Sequence, residues 1–320
     1  MNQTTTTTTA ASTSPIGDLA GYYIVCPISA ACAILAIVMS IIIVSLVIHV
    51  KRRLHTERHL LMCNTAVASS FYCISQLTSY VVLIFFPQIT DDVSCRWRGY
   101  LSYASICGAT YSYLIQAVSR LFFTVFATKH PWMVSFKMHR LLIFIHWFVC
   151  FTLPLPAVIT NDIYFRPGKM CWVPMSHFIH VVYSIMISYV LPIIAIIILY
   201  IYIYRTIKNV QKRREFLHNT THEKRDLDVL RNILIFLGIY ILGGVPTLIF
   251  LVTSLDAFYL TGIATVTLAV FAEKIMTMIL DRELRLVARS LICSRHQITP
   301  LMQSTTRPGI QVNIIRSSRA

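Results

Sequence analysis

Charged residues are spread unevenly along the chain, and the gaps between them set the first prediction. Runs free of Asp, Glu, Lys and Arg cover 21–50, 59–90, 99–119, 141–161, 170–204, 232–255 and 257–272. A helix needs about 20 predominantly apolar residues to cross a bilayer. The first six runs meet that length outright. The seventh does so only if its helix continues through Glu273 and Lys274 to Leu280, which singles out that charged pair. The pattern predicts an all-α membrane protein, a seven-helix transmembrane bundle over 21–280. A Thr/Ser-rich tail (1–20) precedes it. A short amphipathic eighth helix (281–293) and a final tail (294–320) follow.

Composition agrees with this reading. The 320 residues are 56% hydrophobic and 13% charged, against about 25% charged in soluble domains, and the mean hydropathy is +0.66. A net charge of +15 would suit a nucleic-acid binder, but its distribution argues otherwise. Lys51, Arg52, Arg53 and Arg58 follow helix 1, and Lys129, Lys137 and Arg140 lie between helices 3 and 4. Eight Lys/Arg fall between Arg205 and Arg231, and seven more from Arg282 to Arg319. The intervening loops carry only Arg96, Arg98, Arg166 and Lys169. Such a bias places the basic loops in the cytosol and the N-terminus outside. The positive excess then faces anionic membrane lipids and any cytosolic partner.

The opening "MNQTTTTTTAASTSP" has no basic stretch or cleavage site, so helix 1 is expected to act as the insertion signal. Asn2-Gln3-Thr4 is an outer N-glycosylation sequon, a short pattern that also arises by chance. Seven of the nine cysteines lie in or near the helices without metal-ligand spacing. Cys95 and Cys171 differ, because both fall in outer segments, where the compartment is oxidising. A bridge between them would tie the start of helix 3 to the loop before helix 5, worth about 4 kcal/mol by chain-entropy reasoning. No glycine-rich phosphate loop and no catalytic Ser/His/Asp or Cys/His set is present. Neither an enzyme nor a metal or cofactor site is expected. The histidines sit mostly at helix ends and loops and read as bland.

These landmarks, in order and at their intervals, resemble a rhodopsin-like (class A) G protein-coupled receptor from about Tyr22 to Cys293. Arg120 falls 25 residues after Cys95 and matches the arginine of the family's Asp-Arg-Tyr motif, here Ser119-Arg120-Leu121. Trp97 and Trp147 resemble the outer-loop and helix 4 tryptophans, with Pro154 and Pro156 near the outer end of helix 4. Pro192 resembles the helix 5 proline, and Tyr200, eight residues on, the switch tyrosine. Pro246 resembles the helix 6 proline. "LDRELR" looks like the start of the eighth helix, with Cys293 as the palmitoylation candidate.

The departures identify a divergent member. Ser69 stands at the helix 2 aspartate and Ser119 at the acid beside the arginine. "GGVP" (243–246) replaces Cys-Trp-x-Pro, so the rotamer-switch tryptophan is missing. "EKIMT" replaces Asn-Pro-x-x-Tyr, with Thr277 at the tyrosine.

The resemblance implies that an extracellular ligand activates a heterotrimeric G protein through outward movement of helix 6. Arg120, Asp226, Tyr200, Pro131 and Trp132 would carry the coupling. An arginine at mid-membrane costs about 2.5–3.5 kcal/mol and usually faces a polar cavity. The plainer alternative for Arg120 is snorkelling to the inner headgroups. With Ser119 unable to hold a charge, Asp226, 20 residues before Pro246, is the expected resting clasp. Consecutive helix positions point about 100° apart, so Glu273 and Lys274 are expected to need separate polar surroundings. Glu273 would then replace the missing helix 2 acid across from Ser69 and hold a proton or sodium ion. The alternative puts the pair in the cytosolic interface at the end of a short helix 7. Lys274 is no retinal lysine, since in opsins that residue falls earlier on the helix, where this chain has Thr267.

By the same alignment the ligand pocket would be lined by Ser102, Tyr103 and Ile106, then Ser184, Ser188, Leu248 and Leu251, and finally Ile263 and Thr267. The absence of an acid at Ser102 argues against an amine. A peptide, a lipid or a small neutral molecule is expected. Two rival readings remain: a seven-helix channel or transporter with Glu273 and Lys274 along its path, and a receptor-like protein that no longer couples.

Overall fold

The computed structural model describes residues 15–49, 56–86, 91–127, 130–166, 170–214, 221–253 and 255–294, with side chains described except at 15–20, 210–214, 221–234, 237, 256 and 290–294. Seven long helices and a short eighth follow in chain order: α1 Pro15–His49, α2 Glu57–Phe85, α3 Asp92–Leu121, α4 Phe136–Thr152, α6 Thr221–Thr253, α7 Asp256–Leu280 and α8 Arg282–Ser294. Between α4 and α6, α5 runs from Phe178–Ile185 through a π-helical turn, Met186–Val190, into Leu191–Arg214. No strand occurs among the described residues.

Helix ends follow local chemistry. Proline opens α1, where its missing N–H would lack a helical partner anyway. The helix therefore starts upstream of the expected boundary at 21. Ser135 caps α4 by accepting the Met138 N–H at 3.4 Å. Asp281, between α7 and α8, accepts the amides of Glu283 and Leu284 at 3.0 and 3.1 Å, which lets two helices meet with almost no loop. α7 reaches Leu280, so Glu273 and Lys274 lie well inside it. The alternative of a short helix 7 is thereby ruled out.

The bundle is inverted relative to a soluble protein. Along α1 the buried positions Cys26, Ser29, Ala33, Ala36, Ser40 and Ile43 are mostly small and recur every three or four residues. Small residues let membrane helices approach closely, and α1 packs against α2 and α7. Large side chains such as Ile24, Ile34 and Ile41 point outward, where lipid accepts them.

Among the described residues, five helical spans are long and apolar enough by themselves to cross a membrane: Gly21–His49, Glu57–Phe85, Phe136–Ile159, Met175–Asn209 and Ala257–Leu280. α3 was expected to qualify from its charge-free run but is too polar for lipid. Ser102, Ser105, Thr110, Ser112 and Ser119 are all buried on it, because α2, α4 and α5 surround it. Such an enclosed helix needs no lipid-facing surface. α8 buries Leu284 and Val287 against Ile43 and Leu46 of α1 and exposes Arg282, Arg285 and Arg289. That is the amphipathic pattern of a helix lying along a membrane surface.

Candidate functional site

At one end of the bundle a Cys95–Cys171 disulfide joins the start of α3 to the loop before α5, with 5.3 Å between Cα atoms. Gly99, one turn below Cys95, has Cys171 O only 2.4 Å from where a Cβ would lie, so the loop presses directly onto α3. The loop then folds over the bundle. Tyr103 accepts the Val173 N–H at 3.2 Å and meets Trp172 edge-on at 5.3 Å.

Beneath this cover lie two adjoining cavities. An outer vestibule of about 400 Å³ has Tyr22, Arg166, Phe250 and Leu251 on its walls. A deeper chamber of about 90 Å³ has Gln76, Ile106, Ser188, Leu248 and Ile263. Tyr103, Trp172, Ile185, Thr247 and Tyr259 border both. Six of the nine expected lining residues thus face these spaces: Tyr103, Ile106, Ser188, Leu248, Leu251 and Ile263. Three do not. Ser102 turns toward α2 and bonds Ser75 at 3.2 Å. Thr267 donates to Ile263 O at 3.0 Å and contacts the Tyr80 hydroxyl at 3.4 Å. Ser184 faces a separate narrow crevice against α3 and α4. For Ser102 and Thr267 the buried hydroxyl follows interhelical or backbone partners instead of the cavity.

A second cluster at this end involves Asp162, which was not singled out from the sequence. Its carboxylate accepts from Thr160 and contacts His180 Nδ1, and His177 Nδ1 lies 3.2 Å from its other oxygen. Burial would raise its pKa, but the Thr160 hydroxyl and the two imidazoles outweigh burial and hold the carboxyl below its usual range. A depressed carboxylate contributes stability above its unfolded pKa of about 3.9. That contribution is lost only as pH falls through the lowered value.

The floor of the chamber accounts for the Gly-Gly pair. Tyr189, in the π-helical turn of α5, donates toward Tyr240 O and Ile241 O on α6 at 3.0 and 3.1 Å. A Cβ on Gly244 would lie 2.1 Å from its hydroxyl oxygen, and one on Gly243 would lie 2.6 Å from the Ala269 Cβ of α7. α6 is therefore gripped from both sides at these two positions. Gly244 stands where the missing tryptophan was expected, and the Tyr189 ring fills that space from the neighbouring helix. Tyr240 completes the floor, its hydroxyl 2.9 Å from Thr110 on α3.

At the end of the bundle away from the disulfide, Ser119 bonds His139 Nε2 at 2.8 Å. His139 is completely buried, and its Nδ1 donates to Ser135 O at 3.0 Å. His146 is also buried, 3.0 Å from Gly108 O. Both histidines tie α4 to α3, which corrects the expectation of bland roles. Arg120 lies on the wall of a cavity of about 60 Å³ together with Arg58, Thr65, Gln116, Lys274 and Asp281. Tyr200 packs in a buried cluster with Tyr113 and Tyr240, its hydroxyl within the field of Arg120. Trp132 is exposed in a short 3-10 turn, Pro131–Val134. The Asp226 side chain lies outside the described residues, as do Asn2 and the side chain of Cys293.

Glu273 and Lys274 overturn the expectation of separate surroundings. Both are buried, and Lys274 Nζ sits 2.7 Å from Glu273 Oε2. The four-carbon lysine stem is long enough to bend back over the 100° between neighbouring positions. Thr277 donates toward Glu273 Oε1 at 3.3 Å, and Tyr113 lines the same cavity as the pair. The expected proton or sodium site at Ser69 and Glu273 is thus replaced by an internal cation, and the Ser69 hydroxyl is buried without a hydrogen-bond partner. Nearby, Asp281 pairs with Arg58 at 3.2 Å, joining the start of α2 to the α7–α8 junction.

The sequence pattern of the family described as 7 transmembrane receptor (rhodopsin family) matches residues 40–272. No curated protein matches the chain.

Proposed function

The chain belongs to the rhodopsin family of seven-transmembrane receptors, and on that premise we propose that it is a ligand-activated receptor of the plasma membrane, N-terminus outside, coupled to a heterotrimeric G protein. An extracellular ligand occupies the vestibule and chamber. It shifts the population toward a conformer with α6 displaced outward. Arg120, Tyr200 and the Pro131–Trp132 turn then contact the G protein, and the basic loops face its surface and the inner leaflet. The receptor triggers nucleotide exchange on its partner and performs no chemistry of its own. Taken alone, the helical walls suit a small neutral molecule or a peptide.

The observation that supports this reading best is the position of Arg120. It faces a cavity at the end of the bundle away from the disulfide, rather than lipid, and lies next to the buried cluster that links α3, α5 and α6. Its resting partner is proposed to be Asp226, from the sequence interval to Pro246. Water-accessible ion pairs contribute no more than about 1 kcal/mol. Asp226→Ala is therefore expected to raise basal nucleotide exchange by up to about five-fold. Unchanged exchange from a variant at normal surface level would remove Asp226 from the mechanism.

A further inference from the structure

Two hydrogen-bond donors on the walls of the outer cavities have unused capacity, and they sit at different depths. Arg166, in the vestibule, donates through Nη2 to Trp172 O at 3.1 Å and lies 6.0 Å from the centre of the Tyr164 ring. Its Nε is buried without a hydrogen-bond partner, and no carboxylate pairs with it among the described residues. It is the one charged side chain on either cavity wall among those residues. In the inner chamber, Gln76 is 2% exposed and its side-chain Nε2 has no partner. Between them the walls are mainly aromatic and aliphatic, interrupted by Ser188 and Thr247.

Guanidinium donates only and keeps its charge at any relevant pH, and its fork matches a carboxylate. A buried amide nitrogen asks for a neutral oxygen acceptor. The mainly apolar space between them favours apolar groups. The two volumes together fall in the range of small-molecule sites. We propose that the ligand is an apolar monocarboxylate of the oxygenated lipid-acid class, with its carboxylate at Arg166 and a hydroxyl, ether or carbonyl oxygen reaching Gln76. This rests on the reading of the outer cavity as the ligand site. It replaces the neutral ligand that the helical walls alone would suggest, because the charge comes from the loop.

The test uses the full chain in lipid nanodiscs, with empty nanodiscs as the blank. The probes are octanoate, dodecanoate and hexadecanoate, each with and without a terminal hydroxyl, together with their methyl esters and the matching amines. The acids are expected to bind about ten- to a hundred-fold more tightly than the esters, and the amines more weakly still. Arg166→Gln should bring the acids to the level of the esters. Gln76→Leu should remove only the advantage of the terminal hydroxyl. Esters binding as well as acids to the unaltered chain would overturn the proposal without reliance on any variant. So would an acid preference that survives Arg166→Gln, or the absence of binding by every acid. G protein nucleotide exchange is measured in parallel. Arg166-dependent binding without exchange upholds the ligand class and counts against the receptor reading. Exchange that depends on Arg120, with no acid binding, does the reverse.

Discussion

Glu273→Gln is expected to destabilise the folded chain by about 3–5 kcal/mol, the usual cost of removing one partner from a buried ion pair. The substitution keeps the shape of the side chain and its capacity to bond Thr277, so the loss isolates charge. Lys274, 2% exposed, would remain beside a neutral amide with no carboxylate at 2.7 Å. Buried ion pairs are nevertheless poor net stabilisers, since two charges must be desolvated to make them. Glu273→Gln combined with Lys274→Met should therefore recover most of the loss. Thermal unfolding of the purified single and double variants decides the matter. A double variant as unstable as Glu273→Gln alone would show that the two residues are not a coupled unit.

Adding one methyl group at position 244 should also be costly. In Gly244→Ala the new Cβ would lie 2.1 Å from Tyr189 Oη and 2.3 Å from its Cζ, far inside contact distance. The ring must move as a rigid plate, and moving it surrenders its bonds to Tyr240 O and Ile241 O. Overpacking of this kind costs about 1–3 kcal/mol. Tyr189→Leu frees the space, so the double variant should be more stable than the sum of the two single losses predicts. Strict additivity in this cycle would place the clash elsewhere. The same geometry assigns Tyr189 the latch between α5 and α6 at the chamber floor, where a ligand would be felt.

Much of the architecture was legible because a bilayer reads crude properties. Charge-free runs and basic loops are one-dimensional signals, and they gave the helices, the α7 end at Leu280 and the Cys95–Cys171 bridge. The interior was less legible for a specific reason. Ser102, Ser184 and Thr267 look equally able to line a pocket, and which way each faces depends on partners such as Ser75 and Tyr80 that lie on other helices. Tyr189 could not be chosen from the aromatic residues around it until the empty face of Gly244 was visible. His139 and His146 carried no local signal at all. Arg166 lies in a loop whose fold over the vestibule depends on the disulfide and on Tyr103. The error over Glu273 and Lys274 came from treating side chains as rigid spokes on a helical wheel.

The proposed function depends on Arg120 coupling this bundle to a G protein. The most direct measurement is basal nucleotide exchange on a panel of purified heterotrimers, driven by the full chain in nanodiscs and by Arg120→Ala at equal density. The prediction is exchange above empty nanodiscs on at least one heterotrimer, lost in the variant. Exchange that is unaltered by Arg120→Ala, or ion current through the reconstituted chain with no exchange on any heterotrimer, would contradict it.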